Sequence, residues 1–320
     1  MTDSLVTIAI PTYNRCQTMI RAVRSALDQD HVPLEIIILD NASTDGTQTY
    51  CEQVASSDRR VRYIRHPTNG GAAANFNSGL EHANGTYFMW LADDDWIDAD
   101  YVTRCLEAFH ADQELVLVAA VCGYYIDGEL VMTGEEIDVS GSSVTDRVGT
   151  FYRTFGHNSA FYGLARTDAL RRVTPFRDRL GEDWLIVGRL AALGRLRTIR
   201  TTRLHKSLGG LSDDLYGLGR ESGLSHWQAR LAFHSASFFM AADIRILVVF
   251  SVMSPFTRWR LSLLVQARFL WLVTRVQSVH LARHHTLRTV RAWFGESASD
   301  RLRTRFRTWR PRGEPVDPHF

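Results

Sequence analysis

The feature that most constrains this chain is the rhythm of its first 125 residues. Short, continuous apolar runs alternate with segments whose apolar residues recur at helical spacing. Val6–Ile10 ends at Pro11, and Arg15–Gln29 follows with Met19, Ile20, Val23, Ala26 and Leu27 at helical intervals. Leu34–Leu39 runs through the polar turn Asp40–Gly46 into a helical pattern over Thr47–Ala55. Val61–Ile64 precedes a helix opened by Asn69-Gly70-Gly71 and running to Ala83. Thr86–Leu91 stops at Asp93-Asp94-Asp95, ahead of a helix over Ala99–His110 and a long apolar run over Leu115–Tyr125. Strands apolar on both faces and separated by helices predict an α/β fold, with a mostly parallel sheet covered on both sides.

Past residue 126 the alternation breaks. Asp127-Gly128 predicts a hairpin between Tyr124–Ile126 and Leu130–Met132. The patterns then predict a helix over Ser142–Phe155, a strand over Ser159–Ala165, helices over Asp168–Val173 and Glu182–Leu193, and a strand over Leu196–Ile199. Gly209, Gly210, Gly217, Gly219 and Gly223 mark a loop-rich segment. Beyond Trp227 the pattern is helical and amphipathic, with Leu261, Leu264, Val265, Phe269, Leu272 and Val276 at helical spacing. Charge changes at the same point: residues 228–320 carry 15 Arg against 5 acidic residues, net +10, which leaves −8 on residues 1–227. We therefore expect a catalytic unit over 1–227 and a basic, mainly helical extension over 228–320 whose Arg- and Pro-rich end is poorly ordered.

Several classes are disfavoured. No uncharged apolar run reaches the roughly 18–20 residues of a spanning helix, and Met1-Thr2-Asp3-Ser4 does not open like a secretory signal. Cys16, Cys51, Cys105 and Cys122 lack metal-binding spacing and read as reduced thiols of a cytoplasmic protein. No nucleic-acid-binding pattern accompanies the basic end, so no nucleic-acid partner is expected.

The chemistry concentrates at predicted strand ends. Asp93, Asp94 and Asp95 are adjacent carboxylates, costly to cluster unless a cation or donors compensate. Hard oxygen ligands suit Mg²⁺ or Mn²⁺ that also touches phosphate oxygens, and open α/β sheets bind ligands at strand carboxyl ends. The first strand runs into Pro11-Thr12-Tyr13-Asn14 and the second into Asp40-Asn41-Ala42-Ser43-Thr44-Asp45-Gly46. Taken with Asn69-Gly70-Gly71 and the Asp triplet, their order and spacing resemble the nucleotide-sugar-binding half of family-2 glycosyltransferases of the GT-A fold. The resemblance covers about residues 5–125. Farther on, Gly181-Glu182-Asp183-Trp184 resembles that family's Glu-Asp motif. A carboxylate at a helix start stays ionised in the helix dipole and can accept a proton from an attacking hydroxyl; it can equally be a simple helix cap.

The resemblance implies a metal-dependent, inverting transfer of a sugar from a nucleoside-diphosphate donor. The acceptor would be a hydroxyl of a cell-envelope polysaccharide, a glycolipid or a natural product. On the donor side it implicates Pro11, Thr12, Tyr13, Asn14, Asp40, Asn41, Asn69, Gly70, Asp93 and Asp94. Asp95, Asp93 and a late His205 would hold Mg²⁺ or Mn²⁺, with Lys206 or Arg203 as alternative cations for the leaving diphosphate. Asp183 would be the base, with Glu182 the second candidate. His157, Asn158, Tyr162 and Trp184 stand where an acceptor wall is expected, or are satisfied core groups. Asn41 departs from the family's usual second Asp; an amide donates as well as accepts, so UDP-, dTDP- and GDP-linked donors all stay open. Arg-rich amphipathic helices bearing Trp259, Phe269 and Trp271 suit an anionic membrane at the inner face of the cytoplasmic membrane. A homodimer would bury the same faces. Two rival functions remain: a nucleotidyltransferase, whose Gly-rich basic signature Pro11-Thr12-Tyr13-Asn14 lacks, and a non-catalytic scaffold.

Overall fold

The computed structural model describes residues 4–31, 33–126, 128–134, 136–154, 159–179, 181–207 and 232–269. In chain order the first half holds β1 (Val6–Thr12), α1 (Cys16–Leu27), β2 (Leu34–Asp40), α2 (Thr47–Ser57), β3 (Val61–Arg65), α3 (Gly71–His82), β4 (Tyr87–Trp90), β5 (Trp96–Ile97), α4 (Tyr101–Ala111) and β6 (Leu115–Ile126). Then come β7 (Glu129–Thr133), β8 (Asp138–Val139), α5 (Val144–Thr154), a 3₁₀ turn (Ser159–Tyr162), β9 (Leu164–Arg166), α6 (Thr167–Val173), α7 (Glu182–Leu193) and β10 (Arg195–Ser207). Farther along the chain come α8 (Ala232–Ile246), a second 3₁₀ turn (Val248–Phe250) and a helix over residues 255–269, α9.

The strands form one mixed sheet, ordered β3-β2-β1-β4-β9-β6-β10-β5, with β7 beside β6 and β8 beside β10. The pairs β3-β2, β2-β1, β1-β4 and β6-β10 are parallel, while β9 is antiparallel to both β4 and β6. Two reversals restore the original direction. The carboxyl ends of β1, β2, β4, β6 and β10 therefore lie along one edge, which is what positions the site.

Period-two alternation divides the core. Ile8, Ile10, Ile36 and Ile38 face a cluster shared with Met19, Val23, Val102, Leu106 and Phe109 of α1 and α4. Ala9, Ile37 and Leu39 face the opposite cluster, shared with α3, α5, α6 and α7. Strands buried on both faces are why the apolar runs were continuous. The C-terminal helices join the second cluster through Ala236, Met240, Ile244, Phe250, Leu261, Val265 and Phe269. Phe269 is thus a core residue beside Trp184, not a membrane-facing one as expected; Trp271 and the boundary at 227 lie outside the described residues.

Two strand expectations need correction. Ser159–Ala165 is not one strand. The Gly163 N–H donates to the Ala160 carbonyl, the chain turns, and Phe161 stacks on Trp90 with centroids 4.7 Å apart. The strand begun at Leu196 runs on to Ser207, with a register shift between Ile199 and Arg203. Its polar continuation hid it: Thr202 and Leu204 are buried, but Arg200, Thr201 and Arg203 are exposed. His205 and Lys206 therefore sit on a strand end.

Outside the core, α8, α9 and the turn between them expose large apolar side chains. Ile246, Val248, Val252, Phe256, Trp259 and Leu263 are each at least 41% exposed. Among the described residues no helix is long and apolar enough to cross a membrane.

Candidate active site

The acidic triplet follows β4 and is met by groups from the ends of β1 and β10 and from the start and body of α1. The Thr12 hydroxyl at the end of β1 donates to Asp93 Oδ2 at 2.8 Å. Arg15 pairs with Asp94 at 3.0 Å. Arg21 lies 3.5 Å over the Trp96 ring and donates to the Asp94 carbonyl and to Ser207 Oγ. Asp95 is buried; its Oδ1 accepts the Ser207 N–H at 3.2 Å, and its Oδ2 lies 3.4 Å from Lys206 Nζ. Lys206 in turn sits 4.1 Å over the Tyr162 ring.

Burial, reinforced by the Asp94 charge, pushes Asp93 up to about 6 against the Thr12 hydrogen bond. Burial likewise raises Asp95 to about 7, against the pull of Lys206. Desolvation works against the Lys206 ammonium, but Asp95 outweighs it and keeps that charge. Crowded carboxylates at a strand edge are thus held at an energetic cost that further positive charge would relieve.

The polar turn after β2 is built as a clip. Asp40 is fully buried, accepting from the Ser43 N–H and the Tyr63 hydroxyl. Asn14, at φ 52°, donates its N–H to Ser43 Oγ and accepts the Thr44 N–H. Asn41 uses its whole amide: Nδ2 donates to Asn69 Oδ1 and the Gly71 carbonyl, and Oδ1 accepts the Gly70 N–H. An Asp could not donate to those two oxygens, so the departure at position 41 has a structural reason. Pro11 is buried in β1, whereas Tyr13, Asn69 and Gly70 are exposed at the rim.

Tyr162, whose ring lies under Lys206, has its hydroxyl raised by burial; Lys206 opposes this, while the charges of Asp95, Asp183 and Asp94 reinforce it. Asp183 sits in the first turn of α7 and accepts the Trp184 N–H at Oδ1.

Three expected site residues have partners within the protein. Glu182 is buried and gives both carboxylate oxygens to Arg179 and Arg189, so it faces ion-pair partners rather than a substrate. His205 has both ring nitrogens engaged, with the Tyr125 hydroxyl at 2.9 Å and Asp98 at 2.8 Å, and stacks on Trp96. Trp184 packs edge-on against Phe269. His157 and Asn158 lie outside the described residues. Sequence reasoning missed Arg15 and Arg21; Arg15 directly follows Pro11-Thr12-Tyr13-Asn14 at the start of α1 and Arg21 lies within that helix, so their place in the chain carried a signal. The partners of Glu182 are close in the sequence, but Asp243, the carboxylate that shares both arginines with it, carried no local signal.

Among the described residues no group of three or more His, Cys, Asp or Glu side chains is gathered for a metal. Mg²⁺ and Mn²⁺ do not need one, because they bind through one or two carboxylates, waters and substrate phosphates. Asp95 Oδ2, buried and approached by Lys206 Nζ only at a long 3.4 Å, and the hard oxygens of Asp93 fit that manner of binding.

The comparisons with known proteins agree with this arrangement. The chondroitin synthase of Pasteurella multocida (strain Pm70) is 37% identical over 131 residues, covering 41% of this chain and 14% of that protein. The putative colanic acid biosynthesis glycosyl transferase WcaA of Escherichia coli (strain K12) is 41% identical over 118 residues, 37% of this chain and 41% of the relative. The chain thus spans less than half the length of either. In structure it is similar to S. aureus TarS 1-349, with a TM-score of 0.52 at 18% identity over 98% of this chain and 94% of that one. It is also similar to the mannosyltransferase PcManGT from Pyrobaculum calidifontis, solved with GDP-Man and Mn2+, at a TM-score of 0.52 and 15% identity over 94% and 79% of the two chains. These likenesses establish a GT-A sheet. The profile described as "Glycosyl transferase family 2" matches residues 7–178, from β1 past the acidic triplet and Tyr162 and more than half of the chain, and the chain belongs to that family.

Proposed function

We propose that this protein transfers a glycosyl group from a nucleoside-diphosphate sugar to an acceptor hydroxyl, with inversion, in the building of a cell-envelope polysaccharide or glycolipid. The observation that carries this is the acidic edge after β4, where Asp93 accepts the Thr12 hydroxyl, Asp94 pairs with Arg15, and buried Asp95 faces Lys206 and the Ser207 N–H. Asp183 takes the proton from the acceptor hydroxyl as that oxygen attacks the anomeric carbon. The bond to the leaving diphosphate breaks in the same displacement, with no glycosyl-enzyme formed. Arg15, Arg21 and Lys206 surround the leaving group's charge, where fixed cations stabilise it most. A bound Mg²⁺ or Mn²⁺ would be held by Asp93 and Asp95 and would supply Lewis acidity toward the diphosphate oxygens. Thr12, Asn14 and the clip of Asp40 and Asn41 shape the nucleoside pocket. UDP-GlcNAc and GDP-Man are bound by the two solved neighbours, which makes UDP, dTDP and GDP sugars the donors to test.

The relatives' polysaccharide names support an acceptor of that class. The exposed apolar side chains of α8 and α9, flanked by Arg245 and Arg260, support a cytoplasmic enzyme working against an anionic membrane.

The test is a thermal-shift screen of UDP, dTDP, GDP and their sugars with and without Mn²⁺, followed by transfer assays. One nucleotide should raise Tm by mass action. Asp183→Asn should keep that shift and lose about 10²–10⁴-fold in turnover, the typical worth of a general base. Nuclear magnetic resonance of the product should show an inverted anomeric centre. No nucleotide shift, retained configuration, or an active Asp183→Asn would overturn the proposal.

A further inference from the structure

Glu182 and Asp243 share two guanidinium groups. Arg179 pairs with Glu182 Oε2 and lies 3.2 Å from Asp243; Arg189 pairs with Glu182 Oε1 at 2.9 Å and with Asp243 Oδ2. The four side chains close a ring with balanced charge. Glu182, Arg189 and Asp243 are buried, and Arg189 also donates to the carbonyl of Val173 at the end of α6. Three of the four residues belong to α7 or the segment leading into it. The fourth comes from α8, in the basic C-terminal region.

A second contact joins the same places. Gly181, at φ 77°, makes the turn into α7, and a Cβ built on it would lie 3.1 Å from Ala236 Cβ of α8. The helix therefore lies against the turn immediately before Glu182 and Asp183 and also grips the far side of the first turn through the ring.

We propose that α8 is a positioning element for the carboxylate at Asp183, and that Asp243 is its positioning residue. This rests on the assignment of Asp183 as the base. Asp243 does not approach the reacting atoms. Its two arginine bonds fix where the first turn of α7 stands, and that sets the direction in which the Asp183 carboxylate points. A base must lie within hydrogen-bond reach of the proton it removes, so a small displacement of the turn falls on the chemical step and leaves donor binding at the β1, β2 and β4 ends intact.

The experiment compares Asp243→Asn, Asp243→Glu, Arg179→Lys and Asp183→Asn in the full chain, reading kcat, donor KM, nucleotide-induced thermal shift and unfolding midpoint. Asp243→Asn should lower kcat about tenfold or more, since misplacement of about 1 Å can cost 10²-fold. Donor KM and the nucleotide shift should stay within twofold of the parent, and Asp243→Glu should recover part of kcat. Arg179→Lys keeps the charge but loses the planar fork, and should lower kcat less than Asp243→Asn with the same unchanged KM. If Asp243→Asn does not fold, Arg179→Lys decides. A folded variant with parental kcat and only a lowered unfolding midpoint would overturn the proposal, as would equal losses in kcat and donor affinity. Failure of the base assignment is read separately, from an active Asp183→Asn.

Discussion

Asn41 illustrates how one side chain can settle a local structure. Both amide hydrogens and the amide oxygen are used in tying the turn after β2 to the loop that opens α3. Asn41→Asp would set a carboxylate against the Gly71 carbonyl and Asn69 Oδ1, with no proton to share. Leaving such a buried group unsatisfied costs about 1–3 kcal/mol, so the variant should lose that much in urea unfolding, and Asn69→Ala should relieve part of the loss. The identity of position 41 was plain in the sequence and its divergence from the family pattern was visible. Its bonding was not, because the three partners lie 28–30 residues away. The same holds for Glu182. Its place before Asp183 suggested a second catalytic carboxylate, and the two arginines that engage both its oxygens are each shared with distant Asp243.

At the scale of the element, the parallel half of the sheet was readable because burial on both faces leaves no polar position to interrupt an apolar run. The expected boundaries of the helix Glu182–Leu193 and the start of the strand at Leu34 agree with the structure. What stayed hidden was pairing that owes little to composition: the two-residue strands β5 and β8, and the polar end of β10 that brings Lys206 to Asp95. Glu35 ties several elements together near the other end of the sheet. It accepts from Thr7 on β1, from Arg62 on β3, and from the backbone and side chain of Asn84 ahead of β4. Burial works to raise its carboxyl, but these hydrogen bonds outweigh it and hold the group below its ordinary value of 4.5. The stability it lends is therefore complete above about pH 4.5 and is lost as pH falls through the lowered value. Thermal unfolding of the parent and Glu35→Gln should differ by a constant amount near neutrality and converge in acid.

Across the whole molecule, charge and apolar surface are unevenly shared. From Ile244 to Gly295 the sequence has no acidic residue, and within that stretch Val252, Phe256 and Trp259 stand exposed. On the membrane contact proposed above, this surface would meet lipid through apolar burial and attraction to anionic headgroups. The double variant Val252→Asp, Phe256→Asp should lose sedimentation with phosphatidylserine vesicles while keeping the parental nucleotide shift; unchanged sedimentation would remove the lipid surface as a partner. The α8 ring has a further consequence, in time rather than in space. Arg179 and Arg189 are translated long before Asp243. A nascent chain that has not yet delivered α8 holds two guanidinium groups with Glu182 alone to neutralise them, and lacks the helix that covers the turn before α7. On the roles proposed above, the donor edge can assemble while synthesis continues, but the base at Asp183 waits for the end of α8 to leave the ribosome. A growing chain would then hold its sugar donor before it is able to spend it.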